Sequence, residues 1–213
     1  IPTGIAGLDW VTAGGLPEGR IIHIHGLPST GKSSTALQIA AQLQKLGHHS
    51  FYIDLEHTVT EAHIKTLPAQ APWWDPSIFA YWQAYSAEEA ADGILSAIDA
   101  DYKLIILDSI PFLYPHTELQ KLEAHPDESL RVGMVANFLT KMKATFVKAV
   151  NENNAILLLI NHDTRDIGSL GAGWSPPGGQ ALKHMTSLSL QYQFFQKDKD
   201  HLGYFIWHRF LHS

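Results

Sequence analysis

The stretch Gly26-Leu27-Pro28-Ser29-Thr30-Gly31-Lys32-Ser33 constrains this chain more than any other part of it. It is a complete G-x-x-x-x-G-K-[ST] phosphate loop, and Ser34 carries it into the next element. Before it, Ile21-Ile22-His23-Ile24-His25 is a β-branched run that reads as a buried strand. After it, Ala36, Ile39, Ala40 and Leu43 recur at helical spacing, and Gly47 supplies a helix stop. Strand, glycine loop and helix in that order turn backbone N–H groups toward an anion at a helix N-terminus, where the dipole also favours negative charge. Lys32 is expected to bridge the β- and γ-phosphates of a nucleoside triphosphate, and the Ser33 hydroxyl to hold Mg²⁺.

A chain of 213 residues is expected to be one domain with a sizeable core. Hydrophobic residues at 45% and charged ones at 17% fit an ordinary globular protein rather than a disordered one. No stretch approaches the ~20 apolar residues of a membrane helix, and no leader peptide is visible, so no membrane partner is expected. With Cys 0 there are no disulfides or thiolate metal sites, which suits a reducing cytoplasm. The net charge of −6 means that any nucleic-acid contact must come from a local patch. The 13 His are scattered with no close ligand pair, and read as surface and strand residues. Beginning at Ile1 rather than Met, the sequence reads as a processed or trimmed piece.

Glycines and Pro17 make residues 1–20 a run of turns. Residues 51–55 form a second strand, 60–67 a short helix and 78–83 a third strand. Ser86-Ala87-Glu88-Glu89 is a capping box opening a helix over 87–98. Leu104 to Leu107 is a continuous apolar strand, 112–131 a long polar connection, 132–151 a helix and 155–160 another strand. A second long loop, 163–179, precedes strands at 187–195 and 203–207, with a turn at 198–201 between them. Strands alternating with helices, several of them apolar on both faces, predict an α/β fold with a mostly parallel sheet between helices and an antiparallel C-terminal extension.

Ligands in such sheets sit beyond the C-terminal strand ends. The phosphate loop, Glu56, Asp108 and His162 all fall there, from four different strands. Asp108 suits the positioning of Mg²⁺, and Glu56 the deprotonation of an attacking water. His162 suits a hydrogen bond to the γ-phosphate, a role its strand-end position suggests where a lone His elsewhere would not.

These residues resemble the ATPase core of the bacterial RecA recombinases and their phage-encoded UvsX-type relatives. The similar segments are Ile1-Pro2-Thr3-Gly4 with residues 14–20, the loop from Gly26 to Ser34, and Tyr52-Ile53-Asp54-Leu55-Glu56-His57. Leu107-Asp108-Ser109, Ile160-Asn161-His162 and Gly178-Gly179-Gln180-Ala181-Leu182-Lys183 complete them. Bacterial members usually have Gln where His162 stands, and His resembles the phage type.

The resemblance implies a RecA-like core over 1–213, without the family's N-terminal polymerisation helix or C-terminal domain. It implies ATP and Mg²⁺, assembly into a homo-oligomer or filament on single-stranded DNA, strand exchange and a role in DNA repair. Glu56, Lys32, His162 and Arg209 would be catalytic, Arg209 acting across a subunit interface; His63 would stack on adenine. Arg131, Arg165, Ile167, Gly168, Leu170, Trp174, Gly178 and Gly179 would face DNA, although acidic residues in both loops leave few cations there. A RecA-fold ATPase of KaiC-like type acting on proteins, and an ATP-binding core with little activity of its own, are the alternatives.

Overall fold

A computed structural model describes residues 1–66, 71–125, 127, 133–165, 174–194 and 206–210. Its main sheet contains β1 (Arg20–Gly26), β2 (Ser50–Asp54), β3 (Ala80–Gln83), β4 (Leu104–Asp108), β5 (Ile156–His162), β8 (Leu188–Phe194) and β9 (Ile206–Phe210). The order is β3-β2-β4-β5-β1-β8-β9. All adjacent pairs run parallel except β8 and β9, which are antiparallel. The α/β architecture with an antiparallel C-terminal strand is thus as the sequence predicts. A separate two-stranded ribbon pairs β6 (Thr164–Arg165) with β7 (Trp174–Ser175).

Both faces of the sheet are covered, which is why β4 and β5 are apolar at nearly every position. On one face Ile21, Ile53, Leu107, Leu157 and Leu159 pack with residues of α4 (Ala87–Asp99), α6 (Met134–Glu152) and α7 (Gly179–Met185). On the other, Ile22, Ile24, Ile106, Leu158 and Ile160 meet α2 (Lys32–Lys45) and Leu8 of α1 (Ala6–Val11). Ser86 caps the helix as expected, Oγ accepting from Glu89 N at 3.2 Å, while Glu89 Oε2 reaches one residue beyond the cap and accepts from Tyr85 N at 2.8 Å. Among the described residues no helix is long and apolar enough to cross a membrane.

Several expectations change. The entry segment contains α1, and the polar connection after β4 contains α5 (His116–Ala124). The third strand starts at Ala80 rather than 78, because the Asp75 side chain caps a 3₁₀ turn over Pro76–Ile78. The second long loop holds the β6–β7 ribbon and ends in α7. The last strand is described over Ile206–Phe210 and so continues past the expected end at 207, while 203–205 and the turn at 198–201 lie outside the described residues. A short helix at α3 (Glu61–Thr66) agrees with the sequence reading.

Candidate active site

The phosphate loop leaves β1 at Gly26, whose φ is +154°. A Cβ there would lie 2.2 Å from the carbonyl oxygen of Tyr192 on β8, so the close approach of the two strands requires glycine. Gly31 ends the loop, and α2 begins without a side-chain cap, leaving its first-turn N–H groups for an anion. Inside the loop the buried Lys32 ammonium donates to the carbonyls of Gly26 at 3.1 Å and Leu27 at 2.8 Å. Burial pulls its pKa down, while Asp108, Glu56 and Asp163 work in the opposite direction. Thr30 Oγ1 also donates to Leu27 O, at 2.8 Å, closing the loop on itself.

Alternation along the strands sends Asp108 and Tyr52 to the face that α2 covers. Ser33 Oγ donates to Asp108 Oδ2 at 2.6 Å, and the Tyr52 hydroxyl donates to the same oxygen. Burial pushes the Asp108 carboxyl up, against the pull of these two donors. Its other oxygen, Oδ1, is buried with no hydrogen-bond partner. A bare carboxylate oxygen beside a serine hydroxyl is the oxygen donor set that Mg²⁺ takes, so Ser33 and Asp108 fit the expected ion.

Glu56 stands on a turn built by Asp54, a residue the sequence reading passed over. Asp54 Oδ1 accepts from His57 N at 2.8 Å; Oδ2 accepts from Val59 N at 3.1 Å and the Tyr81 hydroxyl at 2.8 Å. This presents the Glu56 carboxylate to Nε2 of His162, 2.6 Å from Oε1, in an ion-pair contact rather than an aligned hydrogen bond. Ser109, also unforeseen, donates from Oγ to Oε1 at 3.1 Å. Burial acts to raise the Glu56 pKa, but His162 and Ser109 outweigh it and hold the carboxyl below its ordinary value. The carboxylate form, which a general base needs, is therefore favoured. Glu56, Asp108 and His162 offer ligand atoms all within 4.8 Å of one another.

Lys32, Ser33, Ser34, Glu56 and His162 line one cleft of about 650 Å³, with Pro28, Ser29 and Gly31 from the loop. Thr58, Pro111 and Phe112 join them from segments where no motif marked them. His63 is not among the lining residues; it is exposed on α3, its N–H bonded to Thr60 Oγ1 at 3.3 Å.

On the face of the sheet opposite Asp108, odd-numbered positions of three adjacent strands are polar, and Asp163, just past β5, reaches the cleft as well. His23 Nδ1 lies 2.9 Å from Ser189 Oγ, and Nε2 lies 3.2 Å from Asn161 Nδ2. Asn161 Oδ1 accepts from His162 N at 2.9 Å and Nδ2 donates to Pro177 O at 2.8 Å, which fixes the amide orientation. His23 Nε2 must then accept, so the ring is neutral with its proton on Nδ1. Burial, with His25 nearby, lowers its pKa to about 3. His25 stacks on His23, centroids 4.8 Å apart, and its Nδ1 donates to Asp163 Oδ1 at 2.7 Å.

This neutral histidine makes folding stability depend on pH. In the unfolded chain His23 takes up a proton below its ordinary value of 6.5, whereas in the fold it stays neutral down to about 3. Stability is thus lost as the pH falls through that window, by up to about 1.4 kcal/mol per pH unit. Asp163 adds to the loss at the acid end, since burial is outweighed by His25 and its pKa is lowered. Urea titrations from pH 7 to pH 4 should show a shallower loss in His23→Gln than in the parent.

The remaining sequence candidates divide. Gly178 and Gly179 open α7 against α6: a Cβ on Gly178, at φ +118°, would come 2.9 Å from Leu182 Cδ2, and one on Gly179 3.3 Å from Ala136. Helix packing therefore accounts for both glycines. Arg165 and Trp174 are register partners in the β6–β7 ribbon, and Arg209, on the edge strand β9, pairs with Gln191 of β8. Arg131, Ile167, Gly168 and Leu170 lie outside the described residues.

Residues 1–204 match the RecA N-terminal domain family. The RecA protein of Aquifex aeolicus is 31% identical over 195 residues, 90% of this chain and 54% of the relative. That of Nitratidesulfovibrio vulgaris is 30% identical over 206 residues, covering 94% and 55%. A plasmid RecA protein of Lactococcus lactis is 30% identical over 203 residues, covering 94% and 56%. The chain spans about half the length of the curated relatives it matches. Phosphate loop, strand-end carboxylates and this likeness agree: the chain belongs to the RecA family.

Proposed function

We propose that this chain is the core of a DNA-dependent ATPase and recombinase, which binds ATP at subunit interfaces, assembles on single-stranded DNA and promotes homologous pairing and strand exchange. The observation that carries this reading is the Glu56 carboxylate, held against His162 and Ser109 in the cleft that the phosphate loop opens into. The loop N–H groups and Lys32 bind the triphosphate, Lys32 exchanging its carbonyl partners for phosphate oxygens. Ser33 and Asp108 would hold Mg²⁺, which when bound neutralises charge on the phosphates. Glu56 orients a water and takes its proton, and His162 donates to the γ-phosphate as it leaves Glu56.

By family resemblance the segments 112–131 and 163–179 would face DNA. Arg165 and Arg131 would take phosphates, Ile167 or Leu170 would wedge between bases, and Trp174 would stack on one, with the backbone at Gly168 and from Gly178 to Gly179 close by. Acidic residues on and beside α5, including Glu118, Glu123 and Asp127, work against a tight complex.

The decisive experiment measures ATP hydrolysis with and without single-stranded DNA across a salt series. Stimulation by DNA that fades steeply with salt is expected, and replacing residues 166–173 with a Gly/Ser linker should abolish it while the fold survives. Absence of DNA binding at low salt with nucleotide present would transfer the reading to an ATPase acting on proteins. Tight ATP binding without turnover under any condition would leave an ATP-binding core.

A further inference from the structure

His162 can act on Glu56 and on a phosphate only if its backbone is fixed, since its side chain projects into an open cleft. The side chains of the two residues flanking it are each held by a histidine of β1, and Asp163, just past the end of β5, also lines the cleft. Asn161 contacts His23, and Asp163 accepts from His25. Strand β8 closes both tiers: Ser189 contacts His23, and Gln191 Nε2 donates to Asp163 Oδ2 at 3.4 Å. The backbone adds a further tie, with Asp163 N donating to Gly26 O at 3.1 Å. Gly26 is also the register partner of His162 and the first residue of the phosphate loop.

This is an unusual use of a sheet interior. The side chains of His25 and Asp163 are each only 3% exposed, and His25 Nε2 has no partner. Apolar residues at these places would bury surface with no desolvation penalty, whereas a buried carboxylate depends on every donor it has. What the polar pair adds is direction: its short bond fixes the chain at Asp163, one residue past His162, relative to the strand that feeds the phosphate loop.

We infer that His25 and Asp163 are positioning residues, which hold the end of β5 against the phosphate loop so that His162 meets Glu56 and the γ-phosphate. The inference rests on the ATP-hydrolysing reading for its kinetic consequence, and on the packing of β1, β5 and β8 for its geometric one. Misplacing a catalytic contact by about an ångström can cost up to ~10²-fold in rate. His25 touches the cleft only through Asp163, so a loss of roughly tenfold in kcat is expected for His25→Leu, with ATP affinity changed less than about twofold.

The test compares the parent, His25→Leu, His25→Gln and Asp163→Asn. Kinetics give kcat and the affinity for a fluorescent ATP analogue. NMR of the His162 ring, with and without Glu56→Gln in each background, reports the His162–Glu56 contact without any turnover. His25→Leu should lose kcat and lose the response of the His162 ring to Glu56→Gln. His25→Gln keeps an N–H donor for Asp163 and should recover most of both. Should His25→Leu fail to fold, Asp163→Asn, which keeps a neutral hydrogen bond, should show a partial loss of the same two signals. A parental kcat together with a parental ring response in His25→Leu or Asp163→Asn overturns the inference. So does a His25→Gln variant as impaired as His25→Leu, which would mean that only packing was lost. A parent chain that hydrolyses no ATP refutes the ATPase reading, and the ring response then decides the positioning role alone.

Discussion

Glu56→Gln is expected to bind ATP as the parent does and to turn it over at least ~10²-fold more slowly, the usual size of a general-base contribution. Gln keeps the shape and can still accept from Ser109, but its amide has no negative charge to attract the proton of a water. The depressed pKa of Glu56, which His162 and Ser109 produce, predicts a second effect. Because the group ionises below its ordinary range, the acid limb of kcat/KM should lie below pH 4.5, and that limb should vanish in the variant. Stopped-flow nucleotide binding and single-turnover hydrolysis separate the two steps. Hydrolysis at the parent rate would remove Glu56 from the mechanism.

Arg209→Ala is expected to have a still larger effect, ~10³-fold or more on turnover with little on ATP affinity, the range of an arginine finger supplied across an interface. Arg209 lies on β9, the antiparallel strand at the edge of the sheet and not beside the phosphate loop of its own chain. Four strands separate β9 from β2, which delivers Glu56. An edge is where another copy of the chain can approach, and the planar guanidinium suits a phosphoryl group in transfer. Specific activity should then rise with protein concentration. Mixing Arg209→Ala with Glu56→Gln should restore part of the activity, because some interfaces pair an intact Glu56 with an intact Arg209. Concentration-independent hydrolysis and no rescue on mixing would show that Arg209 has no such role.

The phosphate loop and the strand-end acids were legible because their signals are local. Glycine spacing, a β-branched run and a helical stripe are all readable within about twenty residues. Helix α5 was missed for a physical reason: it buries none of its residues and starts at Pro115 without a side-chain cap, so neither periodicity nor a capping box marks it. Helix α7 was hidden by Gly178-Gly179, which read as loop until the packing against Leu182 and Ala136 explained them. Asp54 was passed over because its work is done through backbone N–H groups that only the folded turn assembles. The paired histidines of β1 are a different failure. Three adjacent strands carry polar residues at odd-numbered positions, with Asp163 just past the second, but only the sheet register brings them side by side. One strand at a time, they look like scattered histidines.

Lys32 donates to the carbonyls of Gly26 and Leu27, and these contacts bear on how the loop would receive an anion. A lysine drawn in from solvent would have to freeze a flexible stem worth about 2 kcal/mol of rotamer entropy. Here two hydrogen bonds hold the stem within the folded chain. In the proposed ATP complex a phosphate would take over from the two carbonyls with the stem already in place. On that reading the cost of binding would lie in two hydrogen bonds to be exchanged and not in the disorder of a side chain.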